Sequence, residues 1–310
     1  MNEAPGDLDA LAEARRCLQS MDFAEAERLL RCSIERDPHL RNAYELLGKL
    51  LYRDARSDEA AAVYRRWLAA LPADPVAAHL VAATGGERGA RMPLRASDSF
   101  ISDVFDRAAT EFDTALANLG YQAPSLLFER VAQIPRPADT EWNALDLGCG
   151  TGLCGLLLRP LVTRLVGVDL SRAMLAQAQA RGCYDQLLCA EITSFMRTHG
   201  EQFDLITAAD VLCYFGDLTA VLTAACACLR PGGWIVFSVE AGEAGEAGDP
   251  GQIAGFSLLE HGRYTHTTAC VETVLSQAGF REPTLSRGML RFERGAPVDG
   301  LIVSASRPPR

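Results

Sequence analysis

Two rhythms of apolar and polar positions divide the chain near residue 98. Ahead of it, apolar residues recur at helical spacing, and the pattern repeats. Residues 22–38 (DFAEAERLLRCSIERDP) and 56–72 (RSDEAAAVYRRWLAALP) match at a constant offset of 34 positions: Glu25-Ala26 with Glu59-Ala60, Leu30 with Tyr64, Pro38 with Pro72. Ala14 and Gly48 share that offset. Small residues at matched positions let helices approach closely, and a proline ends a helix because it has no N–H to donate. The spacing predicts paired helices over residues 1–84, with a third unit that begins at Pro75 and fades by Gly85-Gly86. Residues 85–97, GGERGARMPLRAS, read as a linker.

Beyond residue 98 the rhythm changes. ISDVFDRAATEFDTALANLGY carries Val104, Phe105, Ala108, Phe112 and Leu116 on one helical face, and APSLLFERVAQI continues as a second helix. Apolar runs follow: NALDLG (143–148), RLVGVDL (164–170), QLLCA (186–190), FDLITAAD (203–210) and WIVFSVE (234–240). Helical segments CGLLLRPLV, SRAMLAQAQARG and LTAVLTAACACLR lie between them. Near-continuous apolar strands alternating with helices predict a parallel sheet covered on both faces, with ligands at the carboxyl ends of the strands. GMLRFERG (288–295) and GLIVSAS (300–306) read as an antiparallel hairpin turning at APVD. The expected fold is α/β: a mostly parallel seven-stranded sheet that ends in this hairpin, preceded by an all-α segment.

The first strand runs into ALDLGCGTGLCG, residues 144–155. Glycines at this density imply a backbone that something approaches closely. The letters parse two ways. Gly150, Gly152 and Gly155 satisfy G-x-G-x-x-G, with Asp169 ending the next strand, as in a nicotinamide-binding turn. Asp146, Gly148, Gly150 and Gly152 satisfy D-x-G-x-G-x-G, the signature of class I S-adenosylmethionine-dependent methyltransferases.

The remaining motifs favour the second parse. The chain resembles that family in VGVDLS around Asp169, in LCAEI around Glu191 and in LRPGGWIVFSVE over 229–240. The resemblance implies S-adenosyl-L-methionine as cofactor and a Rossmann-like fold. Asp169 would then take the ribose hydroxyls, Leu170 and Met174 would pack on the adenine, and Glu191 would lie near its amino group. Asp146, Gly148, Cys149, Gly150, Gly152, Ile192 and Asp210 complete the implied cofactor set. FDRAATEFDTALANLGYQAPSLL, YDQLLCAEITSF, FDLITAADVLCYFGDL, GRYTH and LRFERGAPVDG are together similar to methyltransferases that carry N-terminal tetratricopeptide repeats. That resemblance covers nearly the whole chain and implies repeats over 1–84, a linker over 85–97 and a methyltransferase domain over 98–310. Within the domain, 98–135 would cover the cofactor site. Residues 241–256, AGEAGEAGDPGQIAGF, would be a flexible low-complexity insertion placed to act as a lid.

Composition narrows the partners. The net charge of −10 argues against a broad nucleic-acid-binding face. The acidic N-terminus has no signal-peptide core, and no apolar run approaches the roughly 18–20 residues that cross a bilayer, so a cytoplasmic location is expected. The ten cysteines contain no C-x-x-C and read as reduced, mostly buried residues. No metal-ligand spacing is visible, and no metal is expected.

The end of the fourth strand, Ala209 to Tyr214, is expected to face the transferred methyl, with Asp210 a candidate catalytic residue and Tyr214 a candidate substrate contact. Neither Asn/Asp-Pro-Pro-Tyr nor Pro-Cys occurs, which disfavours DNA-base methylation. Oxygen, nitrogen, sulfur or carboxylate acceptors on a small molecule or peptide remain. HGRYTH (261–266) supplies His266 or His261 as a general base, Tyr264 to position a nucleophile and Arg263 to bind a substrate anion. His39, His79 and His199 read as surface residues. The repeats would dock substrate or a partner protein. Two other readings stay open: an adaptor that binds the cofactor without turnover, and an NAD-dependent oxidoreductase.

Overall fold

The structure is a computed structural model that describes residues 5–85, 92–135, 141–243 and 255–310. The chain forms two compact units: residues 1–92 with 259–262, and residues 93–258 with 263–310. Residues 86–91 of the expected linker and 244–254 of the expected insertion lie outside the described residues.

The first unit consists of helices α1 (Pro5–Gln19), α2 (Phe23–Arg36), α3 (Arg41–Arg53), α4 (Ser57–Ala70) and α5 (Pro75–Ala83), each packed on the next. Asp22 caps α2 by accepting the Glu25 N–H. Asp74 caps α5 through the Val76 and Ala77 N–H groups, with Pro75 in the first turn. Of the residues matched at the 34-position offset, Ala14, Ala26, Leu30, Ala60 and Tyr64 are buried, whereas Glu59, Pro38 and Pro72 are exposed. Trp67 and Tyr44, both fully buried, stack at 6.3 Å at the centre. Gly48 shows why its position is small, since an added Cβ would sit 2.2 Å from Tyr64 Cε1. Gly48→Ala is therefore expected to cost about 1–3 kcal/mol through overpacking, read as a lower midpoint in urea unfolding. An unchanged midpoint would show that the Tyr64 ring moves aside freely. His79 corrects the surface expectation: it is buried, with Nε2 2.8 Å from the Gly262 carbonyl.

The second unit opens with α6 (Asp98–Ala108), α7 (Phe112–Asn118) and α8 (Ala123–Ala132). Then follow β1 (Asn143–Leu147), α9 (Leu153–Leu158), β2 (Arg164–Asp169), α10 (Arg172–Arg181), β3 (Gln186–Cys189), α11 (Ile192–Thr198), β4 (Phe203–Ala208), α12 (Thr219–Cys228) and β5 (Leu229–Ala241). The chain ends in β6 (Phe256–Leu258), β7 (Tyr264–His266), α13 (Thr268–Gln277), β8 (Arg281–Glu293) and β9 (Ala296–Ser306). Strands β3-β2-β1-β4-β5 run parallel in that order. β9 then pairs antiparallel with β5, and β8 with β9.

Two sequence expectations need correction. The described residues hold nine strands, not seven, because GRYTH and the residues from Phe256 form a small hairpin, β6–β7, on the last two residues of β5. The final hairpin also turns at Arg294-Gly295 rather than at APVD, with φ of +52° and +76°, while Ala296 already pairs with Glu293. A two-residue turn with both centres at positive φ matches the strand twist.

Both faces of the sheet are buried. Leu145, Val166, Ile206 and Phe237 point to one side, and Ala144, Leu165, Leu205 and Val236 to the other. The second face also carries Asp146, which the register sets directly beside Gly167 of β2 and Thr207 of β4.

Candidate active site

A cavity of about 240 Å³ lies in the second unit at the carboxyl ends of β1, β2 and β4. Its floor is the glycine turn. Gly148 and Gly150 adopt φ of +57° and +54°. A Cβ on Gly148 would lie 2.4 Å from Val211, while one on Gly150 would occupy open space. Only glycine therefore keeps the turn bare at the cavity wall.

Asp169 anchors this turn, its two carboxylate oxygens accepting the Gly150 N–H at 2.9 Å and the Ser171 N–H at 2.8 Å. Burial raises its pKa, and those N–H groups work the other way. Glu191 caps α11 by accepting from the Thr193 and Ser194 N–H groups, and it lines the same cavity. Asp146, 1% exposed, accepts hydrogen bonds from the Tyr184 hydroxyl at 2.7 Å and the Thr207 hydroxyl at 2.9 Å. Burial pushes its pKa up to about 6.

Helices α6 and α7 are tied to the same elements. Asp106 accepts from the Ser171 hydroxyl at 2.6 Å and from the Ala173 N–H at 3.1 Å. Asp113 accepts from the Thr151 hydroxyl at 2.6 Å and pairs with Arg181. These bonds hold Phe105, Phe112 and Leu116 as an apolar wall of the cavity.

The other end of the cavity is charged. Arg291, 3% exposed, donates to Asp210 at 2.5 Å, to Glu293 at 2.7 Å and to Glu240. Arg263 donates to Glu240 at 2.5 Å and to both oxygens of Glu293 at 2.5 and 2.6 Å. Three carboxylates meet two guanidiniums, with one negative charge in excess. Burial opposes ionisation of Glu293, but the two guanidiniums win and hold its pKa down to about 2. Asp210 stands apart. Its φ is +58°, its N–H donates to Ser238 Oγ at 2.8 Å, and its Oδ1 is shielded from solvent with no hydrogen-bond partner among the described residues. Asp210 thus combines a left-handed backbone, which costs energy in a non-glycine residue, with a shielded oxygen left unsatisfied among the described residues.

The cavity brings together Asp146, Gly148, Cys149, Gly150, Asp169, Leu170, Glu191, Ile192, Asp210, Tyr214 and Arg263. It does not include the other residues singled out from the sequence. Met174 is fully buried in the first turn of α10. The space beside Gly152 is taken by Arg181 and Tyr184, each 3.1 Å from an added Cβ, so that glycine makes room for the protein itself. His261 belongs to the first unit and meets the Tyr52 ring edge-on at 6.2 Å.

Tyr264 and His266 share the face of β7 opposite Arg263, because side chains alternate along a strand. Both are fully buried, with Tyr264 donating to the Pro93 carbonyl at 2.7 Å. His266 Nε2 lies 3.0 Å from the Gly216 carbonyl, and burial lowers its pKa to about 4. Neither Tyr264 nor His266 lines the cavity, as a nucleophile-positioning group or a general base would.

Sequence reasoning missed Arg291, Glu240 and Glu293. The available signal was a charge ending the apolar strand WIVFSVE and charges at alternate positions of LRFE, where a strand turns both to one face.

An open parallel sheet with a glycine turn after β1, an acid after β2 and a C-terminal antiparallel pair defines the Rossmann-like methyltransferase class. A methyltransferase-domain family profile matches residues 119–281, just over half the chain. The chain belongs to this family of S-adenosylmethionine-dependent methyltransferases.

It is 31% identical over 153 residues to the biotin biosynthesis bifunctional protein BioHC of Saccharophagus degradans, covering 48% of this chain and 26% of that protein. It is 29% identical over 179 residues to the malonyl-[acyl-carrier protein] O-methyltransferase of Pseudescherichia vulneris, covering 58% and 68%. The chain thus spans about a quarter of the first relative's length. The fold is shared with phosphoethanolamine N-methyltransferase 2 of Haemonchus contortus, solved with phosphomonomethylethanolamine and S-adenosylhomocysteine. The TM-score is 0.53 at 15% identity, over 68% of this chain and 60% of that one. The described cavity fits the cofactor of the family: bare backbone at Gly150 and the acidic residues Asp169, Glu191 and Asp210 line one space.

Proposed function

We propose that this protein methylates a protic O–H, N–H or S–H group on a small, largely apolar molecule or a peptide. S-adenosylmethionine, when bound, supplies a methyl group on a sulfonium that an acceptor displaces in line. Asp146, Asp169, Leu170, Glu191 and Ile192 would hold it, and the wall from α6 and α7 would exclude water.

The observation that carries the reading is Asp210. Asp210 lines the cavity with Oδ2 bonded to Arg291 and with Oδ1 unpartnered among the described residues but shielded; with cofactor and acceptor in place, a small shift of this carboxylate would let Oδ1 take the proton of the acceptor. A carboxylate acceptor has no proton to give and would meet a cluster already in negative excess. This separates the reading from the malonyl-[acyl-carrier protein] O-methyltransferase relative. Tyr214 and Arg263 line the same end and would contact substrate.

The test is a panel of phenols, amines, thiols and carboxylates with one matched apolar body, read by S-adenosylhomocysteine release and run beside calorimetry with S-adenosylmethionine and NADH. Turnover of protic acceptors, with adenosyl binding and no NADH binding, is expected. Turnover confined to carboxylates would overturn the acceptor assignment. NADH binding in place of adenosyl binding would overturn the cofactor assignment.

Residues 1–84 are proposed as two tetratricopeptide repeats plus a capping helix that dock substrate or a partner protein. Residues 98–310 are proposed as the catalytic domain. The support for the repeats is that Ala14, Gly48, Ala26 and Ala60 recur at one offset, and the alanines among them are interior. No helix among the described residues is long and apolar enough to cross a membrane, and a cytoplasmic location is proposed.

A further inference from the structure

Gly152, Gly155 and Gly167 surround one side chain. An added Cβ would lie 3.1 Å from Tyr184 Cε2 at Gly152, 2.4 Å from Tyr184 Cζ at Gly155 and 3.0 Å from Tyr184 Cδ1 at Gly167. Gly167 is the register partner of Asp146. Its missing side chain opens the passage through which the Tyr184 hydroxyl reaches Asp146 Oδ2 at 2.7 Å. The other oxygen is held by Thr207, the partner of Asp146 on the opposite strand. The carboxylate is thus clamped from both sides on a cavity wall.

We infer that Tyr184 is a positioning residue for the cofactor site, and that the glycines beside it serve to seat its ring so that its hydroxyl fixes and supports the Asp146 carboxylate. This explains part of the glycine density of the turn without any ligand. Gly148 and Gly150 face the cavity, whereas Gly152 and Gly155 face Tyr184. The inference rests on the reading that the cavity binds S-adenosylmethionine. An ionised Asp146 favours binding of a ligand that carries an ammonium, and a donated hydrogen bond favours the ionised form.

The titratable groups around Asp146 are Tyr184, Asp169 and the thiols of Cys149, Cys154 and Cys183. Burial pushes the thiols and the phenol up, which keeps them protonated at neutral pH, so Tyr184 acts only as a donor. Asp169 is the remaining carboxylate, and its charge disfavours ionisation of Asp146.

The test is calorimetric binding of S-adenosylhomocysteine, which carries the ammonium but no sulfonium, from pH 5 to 8.5. The full chain is compared with Tyr184→Phe and, separately, with Gly155→Ala. In the unmodified chain, affinity is expected to fall as pH drops through about 6, where Asp146 takes up its proton. Tyr184→Phe keeps the ring and removes the donor, so the midpoint is expected to rise by about one pH unit. Affinity then falls about fivefold at pH 6, with the gap closing toward pH 8.5. Gly155→Ala pushes the ring away with its hydroxyl intact, and is expected to move the midpoint in the same direction.

A purely structural Tyr184 would leave affinity unchanged at every pH or reduce it equally at every pH. Either result, or an unchanged midpoint in both variants, overturns the inference while leaving the cofactor reading intact. Failure of the unmodified chain to bind S-adenosylhomocysteine at any pH overturns both.

Discussion

Arg291→Met is expected to destabilise the protein by about 3–5 kcal/mol, the range seen when one partner of a buried ion pair is removed, and to abolish turnover. Arg291 is 3% exposed and joins Asp210, Glu240 and Glu293. Without it Asp210, Glu240 and Glu293 lose the guanidinium that all three share, and Glu240 is 2% exposed. Methionine roughly fills the volume, so the loss isolates the charge from the cavity that alanine would leave.

The pH dependence carries a sign. In the unmodified chain the pKa of Glu293 is depressed, so its contribution is present above its ordinary range and is lost as pH falls toward about 2. In the variant the same carboxylates are buried without their cation, their pKa values rise, and the deficit shrinks on acidification. Urea unfolding at pH 5 and pH 8 reads both effects. A loss below about 1 kcal/mol at pH 8 would mean that the cluster is not the electrostatic unit described. Lysine is not expected to rescue, because one ammonium cannot reproduce three directed guanidinium contacts.

Asp169→Ala is expected to weaken S-adenosylhomocysteine binding at least about a hundredfold, the equivalent of roughly 3 kcal/mol. Its carboxylate orders the glycine turn through the Gly150 N–H and the start of α10 through the Ser171 N–H. In the proposed reading it would also take the ribose hydroxyls. Removal loses ligand contacts and loosens the surface that makes the others.

The stability of the free protein is expected to move far less, by about 1 kcal/mol or under at pH 7.5, because two effects oppose. Two N–H groups lose their acceptor. Against that, the carboxylate's pKa is raised by burial, so its ionised form already costs stability, and that cost is present once pH has risen through its folded pKa. Calorimetry and thermal unfolding on one preparation separate the terms. Binding within threefold of the unmodified chain would remove Asp169 from the site.

The cofactor end of the site was legible because its chemistry is local. The D-x-G-x-G-x-G turn, the Asp169 that closes β2 and the Glu191 that caps α11 each follow the strand that presents them. An apolar run, a glycine or an acid at its end is a short-range signal. The amphipathic faces of α6 and α7 were legible for the same reason, although Phe105 and Phe112 line a cavity rather than a closed core.

The charged end of the cavity was not legible. Asp210, Glu240, Arg263, Arg291 and Glu293 follow β4, end β5, precede β7 and lie on β8. They meet because β9 returns antiparallel beside β5 and β8 runs antiparallel beside β9. HGRYTH shows the limit plainly. Its polar residues suggested a cluster, but a three-residue strand sends Arg263 to the cavity and buries Tyr264 and His266.

By itself the sequence determined the alternation of strands and helices, the glycine turn and the family of the cofactor, since all three are written in neighbouring residues. Only the tertiary structure decided which glycines face the cavity and which seat Tyr184. It also decided which charges stand together around Asp210. Those facts depend on strand order and on the two-residue alternation of side chains, which become definite only when the sheet has paired.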